Sequence, residues 1–338
     1  MTTLAGLIQG KDVLSVPMPS TIAFSSGQHV TLDLPRTGII THIDLELNLN
    51  YDSGDVEKED EIRNLFSSLT IRDSQNQTYF HVSDGRLLAF LNEFQTRGAD
   101  LVDALVADNA ASNQTARANF SIHFGDDPSD VLDPSAGIPA DLLSSLVLDI
   151  EWGTSAALWD TVGNGVINSA VVTVTPTIVN AGSPSYNAIL PTLLRPQFRA
   201  VTYTPGGAFS SLGFQQDLPQ MMLDKTLFIG LDENDLREDN IITEVAYIDN
   251  HKNTTLWETD FIPWARRLVG KWLPSLGLAN RRTGVGFIDW QEITADAVLD
   301  LRDRMSTWDK IAWTTGEGGS GQTIAVVHKG YSGKALGA

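Results

Sequence analysis

From Ile43 to Leu49 the chain reads Ile-Asp-Leu-Glu-Leu-Asn-Leu, with an apolar side chain at every second position. Successive side chains of a strand point to opposite faces, so this pattern predicts a strand with one buried face and one wet face. A slip of one residue would bury its carboxylates. Short runs of the same kind, rich in Val, Ile, Leu, Thr and aromatics and bounded by Gly, Pro, Asn, Asp and Ser, recur along the chain and predict an all-β protein. They fall at residues 29–34, 39–49, 65–72, 118–124, 146–152 and 170–179, and then at 198–203, 226–231, 241–248, 285–290, 310–314 and 323–328.

Only two segments carry helical periodicity. One starts near Asp84 and spaces Leu87, Leu88, Leu91 and Phe94; the other starts near Asp260 and spaces Ile262, Trp264, Leu268 and Trp272. Each has Asp at the N-cap position, where a side-chain oxygen can accept from an otherwise unpaired backbone N–H.

Their matching places point to an internal repeat. Asp33-Leu34-Pro35 recurs as Asp217-Leu218-Pro219, an offset of 184 (217 less 33), and at that offset Ile39, Ile43, Leu45 and Leu47 fall on Leu223, Leu227, Ile229 and Leu231. At an offset of 176 (240 less 64), Asn64-Leu65-Phe66-Ser67 falls on Asn240-Ile241-Ile242-Thr243. The same offset takes Ile71, Asp73, Thr78, Phe80 and Asp84 to Tyr247, Asp249, Thr254, Leu256 and Asp260. A longer acidic loop at residues 51–61 absorbs the difference. Two unrelated β domains sharing a turn grammar remain an alternative; the collinear order favours duplication.

Several short strands per repeat hide their apolar faces most simply as a two-sheet sandwich with few exposed edges. The expected fold is all-β: two tandem eight-stranded jelly-roll β-sandwiches, a double jelly roll, each with one short helix. The expected boundaries are an N-terminal arm at 1–15, a first jelly roll at 16–180, a linker at 181–196, a second jelly roll at 197–330 and a C-terminal tail at 331–338. Gly182, Pro184, Pro191 and Pro196 suggest the linker.

Composition narrows the function. A chain of 338 residues has room for two domains of ordinary size, and with no cysteine it has no disulfide, thiolate ligand or cysteine nucleophile. The net charge of -19, from 42 acidic and 23 basic residues, repels phosphate backbones and anionic headgroups, so direct nucleic-acid binding is not expected. No apolar run approaches the roughly 20 residues of a spanning helix. Residues 1–10 lack the basic start and apolar middle of a secretory leader, so export by that route is not expected.

Two collinear β-sandwiches of similar length, a helix at matching positions in each and a Pro-containing connection resemble the double-jelly-roll major capsid proteins of tailless icosahedral viruses, many of which hold a membrane beneath the shell. The resemblance lies in architecture and carries over no signature residue. It implies a structural, non-enzymatic protein of the virion that forms a homotrimer, a capsomer of pseudo-hexameric outline. The implied partners are neighbouring capsomers, minor capsid proteins and an underlying viral membrane reached by the terminal arms, residues 1–15 and 329–338. Loops 50–61 and 125–139 would face outward.

Other constellations are weaker. Gly316 to Thr323 has the glycine spacing of a phosphate loop, but Gln322 stands where a lysine is needed and strand-like Ile324-Ala325-Val326-Val327 follows where a helix is required, so a hairpin loop is expected. His29, His42, His81, His123, His251 and His328 are dispersed and include no His-x-His cluster, the mark of a two-domain cupin. Asp232, Asn234, Asp235 and Asp239 are oxygen-rich but lack the Gly and closing Glu of an EF-hand, and Asp52, Asp55 and Glu57 form a similarly acidic loop; solvated loops are expected. Trp257, Trp264, Trp272, Trp290, Trp308 and Trp313 crowd the second half, as core and interface residues or, in the alternative of a carbohydrate-binding or carbohydrate-cleaving β-sandwich, as a stacking platform. No Gly-x-Ser-x-Gly occurs. The sequence nominates no catalytic, cofactor-binding or metal-binding residue, and no cofactor.

Overall fold

The long alternating run becomes the centre of a sheet. A computed structural model describes residues 12–54, 56–58, 60–95, 102–105, 111–125, 133, 135–161, 165–252, 254–273, 282–294, 298–302, 309–316 and 321–334. The chain divides into two compact units, the main boundary lying between Pro196 and Gln197, with residues 93–98 counted in the second unit and 333–338 in the first. The principal strands of the first are β1 (Val13–Ser15), β2 (His29–Asp33), β3 (Gly38–Asp52), β4 (Phe66–Asp73), β5 (Thr78–Val82), β6 (Gln114–His123), β7 (Leu146–Trp152) and β8 (Val166–Asn180). Those of the second are β9 (Leu194–Tyr203), β10 (Phe209–Asp217), β11 (Met222–Leu231), β12 (Glu244–Asp249), β13 (Thr254–Asp260), β14 (Val285–Asp289), β15 (Asp309–Thr315) and β16 (Thr323–Lys334).

The first unit orders its strands β1-β8-β3-β6 in one sheet and β2-β7-β4-β5 in the other; the second has β9-β16-β11-β14 and β10-β15-β12-β13. Each label in the second unit is its counterpart in the first plus eight, so the strand order is the same in both. The chain changes sheet at almost every step, which is the winding of a jelly roll. Within the first unit, Phe66 of β4 meets Phe120 of β6 at 5.2 Å between ring centroids, joining the two sheets. Within the second, Trp313 of β15 meets Phe228 of β11 at 6.2 Å and Tyr203 of β9 at 5.7 Å. Phe66, Phe120, Phe228 and Trp313 are buried, and burying a Phe side chain stabilises its sandwich by about 1.5–3 kcal/mol.

Helix α1 (Gly85–Gln95) lies between β5 and β6, and α3 (Phe261–Trp272) between β13 and β14. Asp84 caps α1 as expected, accepting from the Arg86 N–H at 2.8 Å. Asp260 makes no side-chain cap; the Phe261 N–H donates to the Thr243 carbonyl instead. The buried stripe of α3 is Phe261, Trp264, Ala265, Leu268 and Val269, so Phe261 replaces the expected Ile262.

The repeat is real in topology but its residue alignment needs two corrections, both at β-bulges. Leu34 and Leu218 are true counterparts: their N–H groups donate to Leu146 and Asp309, at the starts of β7 and β15. In β3, Ile40 faces Ile178 and His42 faces Thr177, leaving Thr41 as an extra residue. In β11, Leu223 faces Gly330 and Lys225 faces Lys329, leaving Asp224 extra. The bulges align at an offset of 183 (224 less 41), not 184. Phe228 reaches Trp313 in the facing sheet, so Thr226 and Phe228 point inward, and Leu227 and Ile229 lie on the opposite face. Both faces of β11 are buried, so its apolar pattern could not fix the phase. A second bulge pairs Phe80 with Ile71 and Trp257 with Tyr247; Leu256, expected opposite Phe80, is the extra residue and is 52% exposed.

Several expected boundaries shift. Residues 181–196, expected as a linker, contain α2 (Pro184–Ile189), capped by Ser183 with Pro184 in its first turn, the favoured start of a helix. Its Tyr186 and Ile189 cluster with Leu193, Ile39 and Val179 of the first unit. Of the expected arm, residues 1–11 lie outside the described residues, while Val13–Ser15 pairs with β8 and Asp12 accepts from the Ser185 hydroxyl at 2.7 Å. Of the expected tail, Tyr331 to Lys334 finish β16 and residues 335–338 lie outside the description. β10 was not legible: Gly213 and the Ser210-Ser211 pair dilute its alternation, and Ser211 and Leu212 adopt φ of 53° and 57°.

One polar cluster sits inside the second sandwich. The Trp290 indole N–H donates to Thr226 Oγ1 at 2.9 Å, and the Thr226 hydroxyl lies 2.9 Å from His328 Nδ1. The Thr226 hydroxyl accepts from Trp290 and is hydrogen-bonded to His328, so it links the two side chains. Burial, with Arg199 nearby, pushes the His328 imidazole down to about 3.

Two outcomes follow for stability. A Cβ at Gly330 would lie 2.1 Å from the Met222 carbonyl oxygen, so Gly330→Ala destabilises by about 2 kcal/mol or more and lowers the melting temperature by several degrees, read by calorimetry. The unfolded chain protonates His328 near the ordinary value of about 6.5, the folded one only near 3, so its contribution is complete above that window and lost as pH falls through it. Melting temperature measured against pH declines across this range, and His328→Asn flattens the decline.

Candidate functional site

The polar residues singled out in the sequence are mostly fastened to the backbone. Asp232 Oδ1 accepts from the N–H groups of Asn234 and Leu236, each at 2.8 Å, and Asp239 Oδ1 accepts from the Gly284 N–H at 2.8 Å. Asp52 accepts from the Asn113 N–H and from Asn168 Nδ2, and these two bonds hold its carboxyl below the usual range. Each carboxylate locks a turn or joins two segments through its Oδ1. Asp55 and the Glu57 side chain lie outside the description.

The histidines are brought together only once. His42 and His123 face each other across β3 and β6, with ring centroids 4.1 Å apart and both side chains buried. His42 Nε2 lies 2.7 Å from Asp44 Oδ1, which also accepts from the Ser121 hydroxyl. Burial works to raise the Asp44 carboxyl, but the bond and charge of His42, with Ser121, hold it below its ordinary value. His29 is exposed beside Asp149 at 3.3 Å, His81 is bonded to Thr70, and His328 is the core residue described above. Among the described residues no group of three His, Asp or Glu side chains is arranged to hold a metal ion.

The glycine-rich stretch is a different connection from the one expected. β15 and β16 belong to different sheets, so Gly316 to Thr323 crosses between sheets and is not a hairpin; residues 317–320 lie outside the description. β16 follows directly, with no helix to offer its N-terminus to a phosphate.

The tryptophans serve packing. Trp290 and Trp313 are fully buried, and Trp264 is 5% exposed with its ring stacked on Phe228. Trp257 and Trp264 border a hollow of about 370 Å³ that also touches Asp289 and Glu292. Both carboxylates are engaged, with Lys225 and Lys271 respectively, and the Trp264 face is covered by Phe228. A sugar ring would find both acids there already paired, and the Trp264 face toward Phe228 taken. Trp308 lies outside the description. Among the described residues no helix is long and apolar enough to cross a membrane.

What remains as a functional feature is the architecture itself. No family model matches the sequence. No curated protein matches it either. Among solved structures, the chain is similar to the STIV MCP, with a TM-score of 0.76 and 14% identity over 95% of this chain and 97% of that one. It is equally similar to a chain in the atomic structure of Sulfolobus Turreted Icosahedral Virus, with a TM-score of 0.76 and 14% identity over 96% and 92%. It is also similar to the major capsid protein P2 from Bacteriophage PM2, with a TM-score of 0.55 and 13% identity over 94% and 97%. The strand order and these likenesses establish one thing about the chain: it has the double-jelly-roll fold of those capsid proteins.

Proposed function

We propose that this chain is the structural major capsid protein of an icosahedral virus, resident in the virion shell and without enzymatic activity. The observation that carries the proposal is the repetition of one strand order, β1-β8-β3-β6 with β2-β7-β4-β5, in both halves of a single chain. Two like units per chain give six like corners per trimer, so three copies fill a nearly hexagonal tile and closed symmetry makes the trimer self-limiting. The fold-level likeness to proteins whose titles name virus capsids supports this reading.

In this reading the partners are two further copies of the chain, neighbouring capsomers and minor capsid proteins. The terminal segments reach an underlying membrane. The net charge of -19 disfavours direct contact with packaged nucleic acid. Asp232, Asp239 and Asp52 tie turns or segments together, which suits a shell component better than a catalyst.

Purified protein is expected to run as a trimer or larger closed assembly in sizing and light-scattering measurements, and to give threefold particles of hexagonal outline in negative stain. A monomer at every concentration and salt would overturn the proposal.

A further inference from the structure

The bulge rows of the two units are filled differently. In the first unit the row across the sheet is Thr177, then Thr41 and His42, then His123. In the second it is Lys329, then Asp224 and Lys225, then Asp289, by the same pairings. Three residues of the second row are buried, with Asp224 0%, Lys329 1% and Lys225 6% exposed, and the Asp289 side chain is 8% exposed. The first unit shows that the fold does not need ions here. Buried ion pairs are weak sources of stability, because desolvation offsets most of their attraction.

The four groups are unequal. Lys225 Nζ sits between two carboxylates, 2.6 Å from Asp224 Oδ1 and 3.2 Å from Asp289 Oδ1, which together keep it an ammonium. Lys329 Nζ stands 3.6 Å from Asp224 Oδ2, an oxygen that is buried and accepts no hydrogen bond. The Phe198 ring also lies beside Lys329, 6.0 Å from Nζ. An amine and a carboxyl are thus held beside each other, 3.6 Å from Nζ to Oδ2, in a site that disfavours charge.

We infer that Lys329 and Asp224 condense to an intramolecular isopeptide bond that joins β16 to β11. A proton passes from the Lys329 ammonium to Asp224 Oδ2, and the freed nitrogen lone pair attacks Cγ. The carbonyl electrons move onto Oδ1, where the Lys225 ammonium stabilises the oxyanion. Collapse restores the carbonyl and breaks the Cγ–Oδ2 bond. That oxygen leaves as water, with its own proton and one from the nitrogen. Nothing is oxidised or reduced, and no co-reactant is consumed. The product amide replaces two buried charges with a neutral group and closes a covalent loop in a chain that has no cysteine for disulfides.

Intact-mass spectrometry of the folded full-length protein, followed by tryptic mapping, tests this. The expected result is a chain lighter than its sequence by one water, with a branched peptide that contains both Asp224 and Lys329. Lys329→Arg and Asp224→Ala keep their full sequence masses. Asp224→Asn reaches the same cross-linked product by losing ammonia. Wild-type protein that holds its full sequence mass after prolonged incubation in the folded state would overturn the inference. So would water loss that persists in Lys329→Arg, which marks a succinimide at Asp224 instead.

Discussion

Each unit depends on the register of its longest antiparallel pair, β3 with β8 and β11 with β16. Side chains alternate with a period of two, so a shift of one residue would turn every inward side chain outward. The bulges at Thr41 and Asp224 reset that phase near the start of β3 and β11. Beyond them Ile43, Leu45 and Leu47 face inward in one unit, and Thr226 and Phe228 in the other. The inter-sheet aromatic contacts, the Trp290–Thr226–His328 cluster and the buried charge row all take their places from this setting.

Much of the fold was legible because its signals are local. The twelve runs read as strands all correspond to observed strands, and both helices sit where their spacing put them. The match of Asp73 with Asp249 falls on a shared turn: Asp73 Oδ1 accepts from the Gln75 and Gln77 N–H groups, and Asp249 accepts from the Lys252 N–H. What was not legible was long-range. A bulge is defined by the partner strand, so nothing in the sequence around Thr41, Asp224 or Leu256 marks it. The Ser183-Pro184 pair was read as a break when it opens a helix, because Pro carries both meanings and only the burial of Tyr186 and Ile189 decides between them.

The polar chemistry divides the same way. The abundance of acids is plain in the sequence; that Asp232, Asp239 and Asp52 each use Oδ1 to hold a backbone N–H depends on the folded chain. The pairing of His42 with His123, far apart in sequence, comes from the β3–β6 register alone. A function carried by surfaces and by repetition of a whole domain leaves no short motif, which is why architecture speaks where residue patterns are silent.

The two extra residues also have a use as landmarks. Deleting one would invert the remainder of its strand, so drift can rewrite the surrounding letters far more freely than it can erase the insertion. Distant kin of this chain are then better superimposed by anchoring on Thr41 and Asp224 than by matching amino acids, and lineages that have kept both could be ordered even where identity has decayed to background.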